Sequence, residues 1–271
     1  MFLNRITQMY MIKEDEKLKE YKKNLENAKI IQLGMLPKER HFKRLFKDYF
    51  TFYMPQDVIS GDFYWVGKYN NFKYLAVGDC TGHGVSASLL SVLALSLFEY
   101  VIMNKGIKKT DKILREIDKK FIESFKEISP NSHNAPWIDV SLVRIEPNKK
   151  KIQFSSAHRK LLLTKENGDC KIYSGNNYPI GGWQIEENRK FESKCISYEE
   201  NDIIYLGSDG FQDQFGGNKE KKYSSKRLHQ FLVRNSNLPI KKQKLLLEKE
   251  FNDWKQEFTQ TDDVCIVAVK L

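Results

Sequence analysis

Paired cysteines are missing from this chain of 271 residues. Its four cysteines, Cys80, Cys170, Cys195 and Cys265, stand singly with no CxxC among them. That removes the usual spacing of a zinc cluster or dithiol redox site and leaves buried thiols in a reducing compartment as the plain expectation. A secretory leader is not evident either, since residues 1–10 lack both a sustained apolar region and a small-residue cleavage site. The chain is therefore expected to be cytoplasmic. Long apolar runs are scarce, and residues 85–103 are the one stretch to weigh as a membrane span. It carries four serines and Glu99, is short for a span and has strand-like segments on both sides. A core helix is expected there, and no membrane association. Nucleotide loops are lacking too. Gly82-His83-Gly84-Val85-Ser86-Ala87 fits G-x-G-x-x-A, but another helix follows where a parallel strand is required. No lysine follows those glycines to make a P-loop, and no G-x-S-x-G elbow exists for a serine hydrolase.

What the chain has is aromatic content of 13% and a formal charge of +10. The first marks a globular chain long enough for one large domain, or a domain with a short appendage. The second hints at an acidic partner, but the lysines lie in scattered runs at residues 149–151, 219–222 and 241–244. Solvated faces account for most of them, and no nucleic-acid-reading motif accompanies them.

Residues 13–35 read as one helix ended by Pro37, with Leu18, Tyr21, Leu25, Ala28, Gln32 and Met35 at the spacing of a coiled-coil seam. A helix packed on its own domain fits the same spacing. Gln32 on that stripe suggests a specified or adjustable register. Strand patterns occupy residues 50–54, 62–69 and 73–78, with a tight turn at Asn70-Asn71. The apolar helix at 85–103 follows, then a second helix from about Thr110 with its stripe at Ile113, Ile117, Phe121, Phe125 and Ile128. After a break at residues 129–132, a meander of strands runs over 138–145, 151–156, 161–165, 170–173, 191–198 and 202–207. Helices at 224–235 and 239–258 and a last strand at 264–271 complete an α+β chain, with antiparallel sheets face to face and helices outside.

Asp62, Asp79, Asp209 and the pair Asp262-Asp263 each sit at the start or end of a β-rich run. Each alone reads as an ordinary turn aspartate. Gathered by strand ends they would repel, by roughly 4 kcal/mol per pair about 4 Å apart at an effective dielectric near 20, and would need cations. Oxygen-only ligands favour Mg²⁺ or Mn²⁺ over zinc, and two such ions activate water and clamp a phosphoryl group.

The motifs SGDFYW (residues 60–65), GDCTGHGVSASLL (78–90), SAHRKLLL (156–163), YPIGG (178–182), GSDGFQDQFGG (207–217) and TDDVCIVAV (261–269) resemble, in order and spacing, the bacterial SpoIIE-type branch of the PPM metal-dependent Ser/Thr protein phosphatases. The resemblance runs from about Phe50 to the C-terminus and implies an αββα sandwich at residues 38–271 behind a linker helix at 1–37. It implies two Mn²⁺ or Mg²⁺ ions bridged by Asp79, with the Cys80 carbonyl on one of them. Asp209 and Asp262 would hold the first ion, Asp62 would serve the second, and Asp263 would support. Asp79 and Asp209 would carry catalysis of in-line attack by water on phosphoserine or phosphothreonine. The substrate implied is a phosphorylated regulatory protein, typically a STAS-domain anti-sigma-factor antagonist; a catalytically silent scaffold that docks signalling partners is the alternative.

Two departures from the family pattern stand out. Eukaryotic relatives place a proposed proton donor, a histidine, two residues after the bridging aspartate. Thr81 is there instead, and His83 is either a displaced general acid or a residue capping the apolar helix. Asp139 stands where many relatives carry a small hydroxyl residue, and either binds a third metal or hydrogen-bonds its loop. His158 is expected to be structural, and the loop 216–222 to be either a basic surface loop or a substrate contact. The resemblance also implies regulation through the 13–35 helix, which pairs subunits in the family. With few residues ahead of it, no fused sensor domain is expected.

Overall fold

The computed structural model describes residues 2–126, 135–182 and 189–271, with side chains from residue 13 onward. A long helix α1 (Phe2–Met35) and a short α2 (Glu39–Leu45) lead into strands β1 (Tyr49–Met54), β2 (Asp62–Tyr69) and β3 (Phe72–Cys80). Helix α3 (Gly84–Glu99) continues through a π-helical turn (Tyr100–Asn104), and α4 (Thr110–Phe125) follows. Next come β4 (Trp137–Glu146), β5 (Lys151–Ala157), β6 (Lys160–Thr164), β7 (Cys170–Ser174), β8 (Ile180–Gly181), β9 (Lys194–Ser197) and β10 (Ile203–Gly207). The chain finishes with α5 (Gly210–Asp213), the small hairpin β11 (Phe215–Gly216) and β12 (Lys221–Lys222), α6 (Ser225–Asn235), α7 (Ile240–Lys255) and β13 (Val264–Lys270).

Two antiparallel sheets result, one ordered β1-β13-β10-β6-β7 and the other β2-β3-β4-β5-β9, with β8 added to β4. Alternation along single strands sorts side chains into layers. On β13, Val264, Ile266 and Ala268 face α6 and α7, while Cys265, Val267 and Val269 face the other sheet. On β3, Tyr74 and Ala76 pack beneath α3 and α4, and Leu75 and Val77 enter the space between the sheets. The order of layers is therefore helices, sheet, sheet, helices, as the sequence reading expects. Ile113, Ile117 and Phe121 are buried as the α4 stripe, as are Leu247 and Phe251 of α7. Each such side chain contributes about 1.5–3 kcal/mol by leaving water.

The expected turn at Asn70-Asn71 joins β2 to β3, with Asn70 at φ +52° and Tyr69 paired to Phe72. The apolar run forms α3 and its π-helical extension. By length and composition Gly84–Asn104 could cross a membrane, but half of that window is buried inside the protein. Several expectations need adjustment. Helix α1 starts at Phe2, well before residue 13; the helix expected over 239–258 ends at Lys255; and the strand expected over 191–198 shrinks to β9. Cys80 and Cys265 are buried as expected, but Cys170 and Cys195 are exposed, because β7 and β9 are the edges of their sheets. Ile128 and the break at 129–132 lie outside the described residues.

Helix α1 packs on its own domain through only part of its stripe. Leu18 and Tyr21 are exposed, whereas Gln32 is only 3% exposed. Gln32 thus docks on α3, Leu25 and Ala28 are half-buried, and Leu18, Tyr21 and Met35 carry apolar side chains into solvent.

Candidate functional site

The chain changes sheets between β1 and β2 and again between β5 and β6. In the antiparallel ladders these crossings lie at the same end as the starts of β2, β4 and β13 and the ends of β3 and β10. The aspartates singled out in the sequence collect at this end. In the register, Asp62 stands opposite Asp79, and Asp79 opposite Asp139. Period-two alternation turns all three to the space between the sheets: Asp79 follows Leu75 and Val77, and Asp139 precedes Val143 and Ile145 on the same face. A row of three like charges across neighbouring strands is destabilising by itself.

The opposite sheet closes on that row. Ser208, after β10, donates from Oγ to Asp62 Oδ2 at 2.5 Å and accepts from the Cys265 N–H at 2.9 Å. Asp263 is buried, and its two oxygens accept the backbone N–H groups of Gln56 (2.6 Å) and Gly61 (2.7 Å). It braces the loop that delivers Asp62. Asp262 is half-buried beside it and accepts from the Asp263 N–H at 2.8 Å. Gly210 permits this closeness, since a Cβ there would lie 1.9 Å from the Asp263 carbonyl oxygen. The Cys80 carbonyl faces Gly61, 3.1 Å from where a Cβ on that glycine would stand.

Three residues whose part is not legible in the sequence complete the arrangement. Arg159, in the β5–β6 turn, donates from the single atom Nη2 to Asp79 Oδ2 (2.9 Å), Asp139 Oδ2 (2.9 Å) and Asp209 Oδ2 (2.7 Å). Aspartates of both sheets thus lie within reach of one guanidinium. Its Nε is buried without a partner among the described residues. Ser208 is the second. Gln32 of α1 is the third: Nε2 donates to the Ser60 carbonyl (2.5 Å) and to Ser91 Oγ (2.9 Å), and Oε1 accepts the Ser60 N–H (3.1 Å). Ser60 Oγ in turn accepts the Asp62 N–H at 3.0 Å, so the linker helix is tied to the acidic end through two links.

The other candidates are placed as follows. His83 occupies the N-cap of α3 in extended conformation and makes no capping bond with its side chain. Thr81 is locked to Trp137, donating from Oγ1 to its carbonyl and accepting its N–H. Asp139 bonds the β5–β6 turn, with Oδ2 on Arg159 and Oδ1 2.8 Å from His158 Nδ1. The 216–222 segment forms the β11–β12 hairpin, which bonds to the Trp254 carbonyl through the Gly217 N–H and pairs Lys222 with Asp213. Next to the acidic end, a cavity of about 160 Å³ is lined by His158, Arg159, Lys160, Ser208, Gln212 and His229 among others.

Electrostatics mark the cluster as over-charged. Burial, and then the neighbouring Asp79, push Asp62 well above the ordinary carboxylate range. Asp79 is raised by burial and by Asp209, with Arg159 opposing, and Asp262 is raised mainly by burial. For Asp209, burial acts upward, but the Arg159 guanidinium outweighs it and holds the carboxyl low. One guanidinium contacts three carboxylates, those of Asp79, Asp139 and Asp209, and the carboxylates of Asp62, Asp262 and Asp263 add to the negative charge beside them. Asp62 Oδ1 is buried with no partner among the described residues. An oxygen-only donor set with surplus negative charge and an orphaned oxygen fits hard divalent cations. Among the described residues no three acidic, histidine or cysteine side chains stand ready to hold a metal ion: Arg159 Nη2 occupies the place where Asp79, Asp139 and Asp209 meet, and Asp263 is spent on backbone.

The family model for Stage II sporulation protein E (SpoIIE) matches residues 73–271. Comparison with curated protein sequences returned no match. Among solved structures, the SiaA-PP2C domain of Pseudomonas aeruginosa is similar with a TM-score of 0.84 at 23% identity, over 94% of this chain and 98% of that one. The PP2C phosphatase domain of SpoIIE from Bacillus subtilis, solved with a fragment of its regulatory domain, gives 0.64 at 16% identity, over 83% and 63%. RsbX in complex with magnesium gives 0.59 at 13%, over 82% and 94%. At these identities the likeness is one of fold. Asp62 and α1 precede the matched segment, yet the β2–β3 register and the Gln32 bonds attach both to it. With the helix-flanked double sheet and a family match over most of its length, the chain belongs to the SpoIIE family and has the fold of the PP2C protein phosphatases.

Proposed function

We propose that the protein is a metal-dependent phosphatase of phosphoserine and phosphothreonine on a regulatory protein. The observation that carries this is the meeting of Asp79 and Asp139 from one sheet with Asp209 from the other on the single atom Arg159 Nη2, with Asp62 opposite Asp79 in the strand register. Asp79, Asp209 and Asp262 would hold one of two Mn²⁺ or Mg²⁺ ions, Asp79 with Asp62 the other, and the Cys80 carbonyl would bind one of them. Bound there, the ions supply an activated water and charge neutralisation for the phosphoryl oxygens.

The chain's own residues prepare that chemistry. Ser208 fixes the Asp62 carboxylate, Asp263 fixes the loop before it, and Gly210 lets the Asp209 segment lie against Asp263. The cavity beside His158 carries the cationic side chains of Arg159 and Lys160, suited to an anionic phosphoprotein surface. A STAS-domain regulator as substrate follows from the family resemblance. Pairing of two copies through the exposed Leu18 and Tyr21 stripe of α1 is the partner arrangement that this surface supports.

The test is hydrolysis of a phosphoserine peptide by the full chain. The proposal expects turnover with Mn²⁺ and none after chelation. Absence of turnover with Mn²⁺ or Mg²⁺, on the peptide and on p-nitrophenyl phosphate alike, would contradict it.

A further inference from the structure

A serine or threonine alkoxide is a poor leaving group, so breaking its bond to phosphorus calls for a proton donor on the leaving side. Thr81 cannot serve, because both its donor and its acceptor capacity go to Trp137. His83 is exposed at the mouth of α3 with no capping bond to orient it. His158 is the histidine with a fixed posture. Its turn is braced by four hydrogen bonds: His158 N–H to the Asn176 carbonyl, Asn176 N–H to the Ser156 carbonyl, Arg159 N–H to the Ala157 carbonyl, and Ser156 Oγ to the Arg159 carbonyl.

The imidazole Nδ1 lies 2.8 Å from Asp139 Oδ1. Asp139 stands opposite Asp79 in the β3–β4 register, and the two carboxylates share Arg159 Nη2. His158 is thus one carboxylate away from the aspartate at the centre of the site. A carboxylate on Nδ1 orients the ring and sets the tautomer, leaving Nε2 as the nitrogen that can meet substrate. The side chain remains 39% exposed and lines the cavity beside Arg159 and Ser208, where a phosphorylated side chain would enter.

We infer that His158, positioned by Asp139, is the acid that protonates the departing serine or threonine oxygen, an assignment that rests on the phosphatase reading above. The water oxygen forms its bond to phosphorus as the bond from phosphorus to the ester oxygen breaks. The ester oxygen takes the Nε2 proton and leaves as the alcohol. One water proton stays on the phosphate product, the other passes to solvent, and His158 regains its proton from solvent.

The test compares two leaving groups in the full chain with Mn²⁺, an alkyl one in a phosphoserine peptide and an aryl one in p-nitrophenyl phosphate, which departs without a proton. His158→Asn is the informative substitution. His158 has φ +58°, in the left-handed region that asparagine tolerates better than most residues, so the turn is kept while the acid is removed. The expected result is a fall in kcat on the peptide of about a hundredfold or more, with KM little changed and with p-nitrophenyl phosphate turnover reduced less than about threefold. Equal losses on both substrates, or no loss on the peptide, would overturn the assignment of His158 and leave the phosphatase reading standing. A wild-type chain inactive on both substrates would overturn both.

Discussion

Asp79 carries two burdens that pull in opposite directions. In the proposed site it must be ionised to hold cations, and it is half-buried beside Asp209 with a raised pKa that records the cost of that charge. Asparagine imitates the protonated form without the ability to bridge two ions. Asp79→Asn is therefore expected to lower turnover by more than about a hundredfold, a loss larger than that from outer-sphere changes. The same substitution should raise the thermal midpoint of the metal-free protein by a few degrees (about 1 kcal/mol corresponds to 2–4 °C in a chain of this size). Differential scanning fluorimetry in EDTA beside a phosphate-release assay checks both signs, and a lowered midpoint in EDTA would show that Asp79 is not strained. Arg159 escapes sequence reading because a lone basic residue in a turn carries no pattern. Only the β5–β6 crossing between sheets brings it to aspartates 50 and 80 positions away.

At the scale of elements, the strands that build the site were legible and the short pieces were not. Runs of β-rich residues bounded by turn residues gave β2 with the bounds observed and placed Asp62 and Asp79 at strand ends, although these strands are buried on both faces, one against the other sheet and one under helices. α2, α5 and the β11–β12 hairpin are too short to show a period. Exposure of Cys170 and Cys195 depends on which strands end up at sheet edges, a property of topology and not of local pattern. The role of Gln32 belongs here too. The seam spacing marks it as an odd polar residue, and the structure shows its amide bonded to both backbone groups of Ser60. Gln32→Ala would leave those buried groups unpaired at a cost of about 1–3 kcal/mol each. We expect a lowered urea midpoint together with weaker Mn²⁺ binding by calorimetry, since Ser60 holds the Asp62 N–H. Unchanged Mn²⁺ affinity would sever α1 from the metal end.

For the whole molecule, the acidic end sets how stability responds to pH and metal. Asp62, Asp79 and Asp262 have folded values above the ordinary 3.8, so the folded chain binds protons more tightly than the unfolded one at these positions. Their stabilising protons are lost as pH rises above that value, and stability falls. Asp139 is raised by burial in the same sense, and Asp209, held low by Arg159 after burial is offset, acts oppositely as one group against four. In EDTA the thermal midpoint of the wild type is thus expected to fall across this window relative to Asp79→Asn. In Mn²⁺ the order reverses, because ion binding needs the deprotonated carboxylates and stabilises the folded state in proportion to occupancy. Parallel pH profiles with and without Mn²⁺ would contradict a shared site. The most direct measurement is anomalous diffraction from a crystal of the full chain soaked in Mn²⁺. The account predicts two peaks flanking Asp79, one within bonding distance of Asp209 and Asp262 and one on the Asp62 side, with Arg159 displaced from Asp79. Manganese elsewhere on the molecule, or none at this end with Arg159 unmoved, would contradict it.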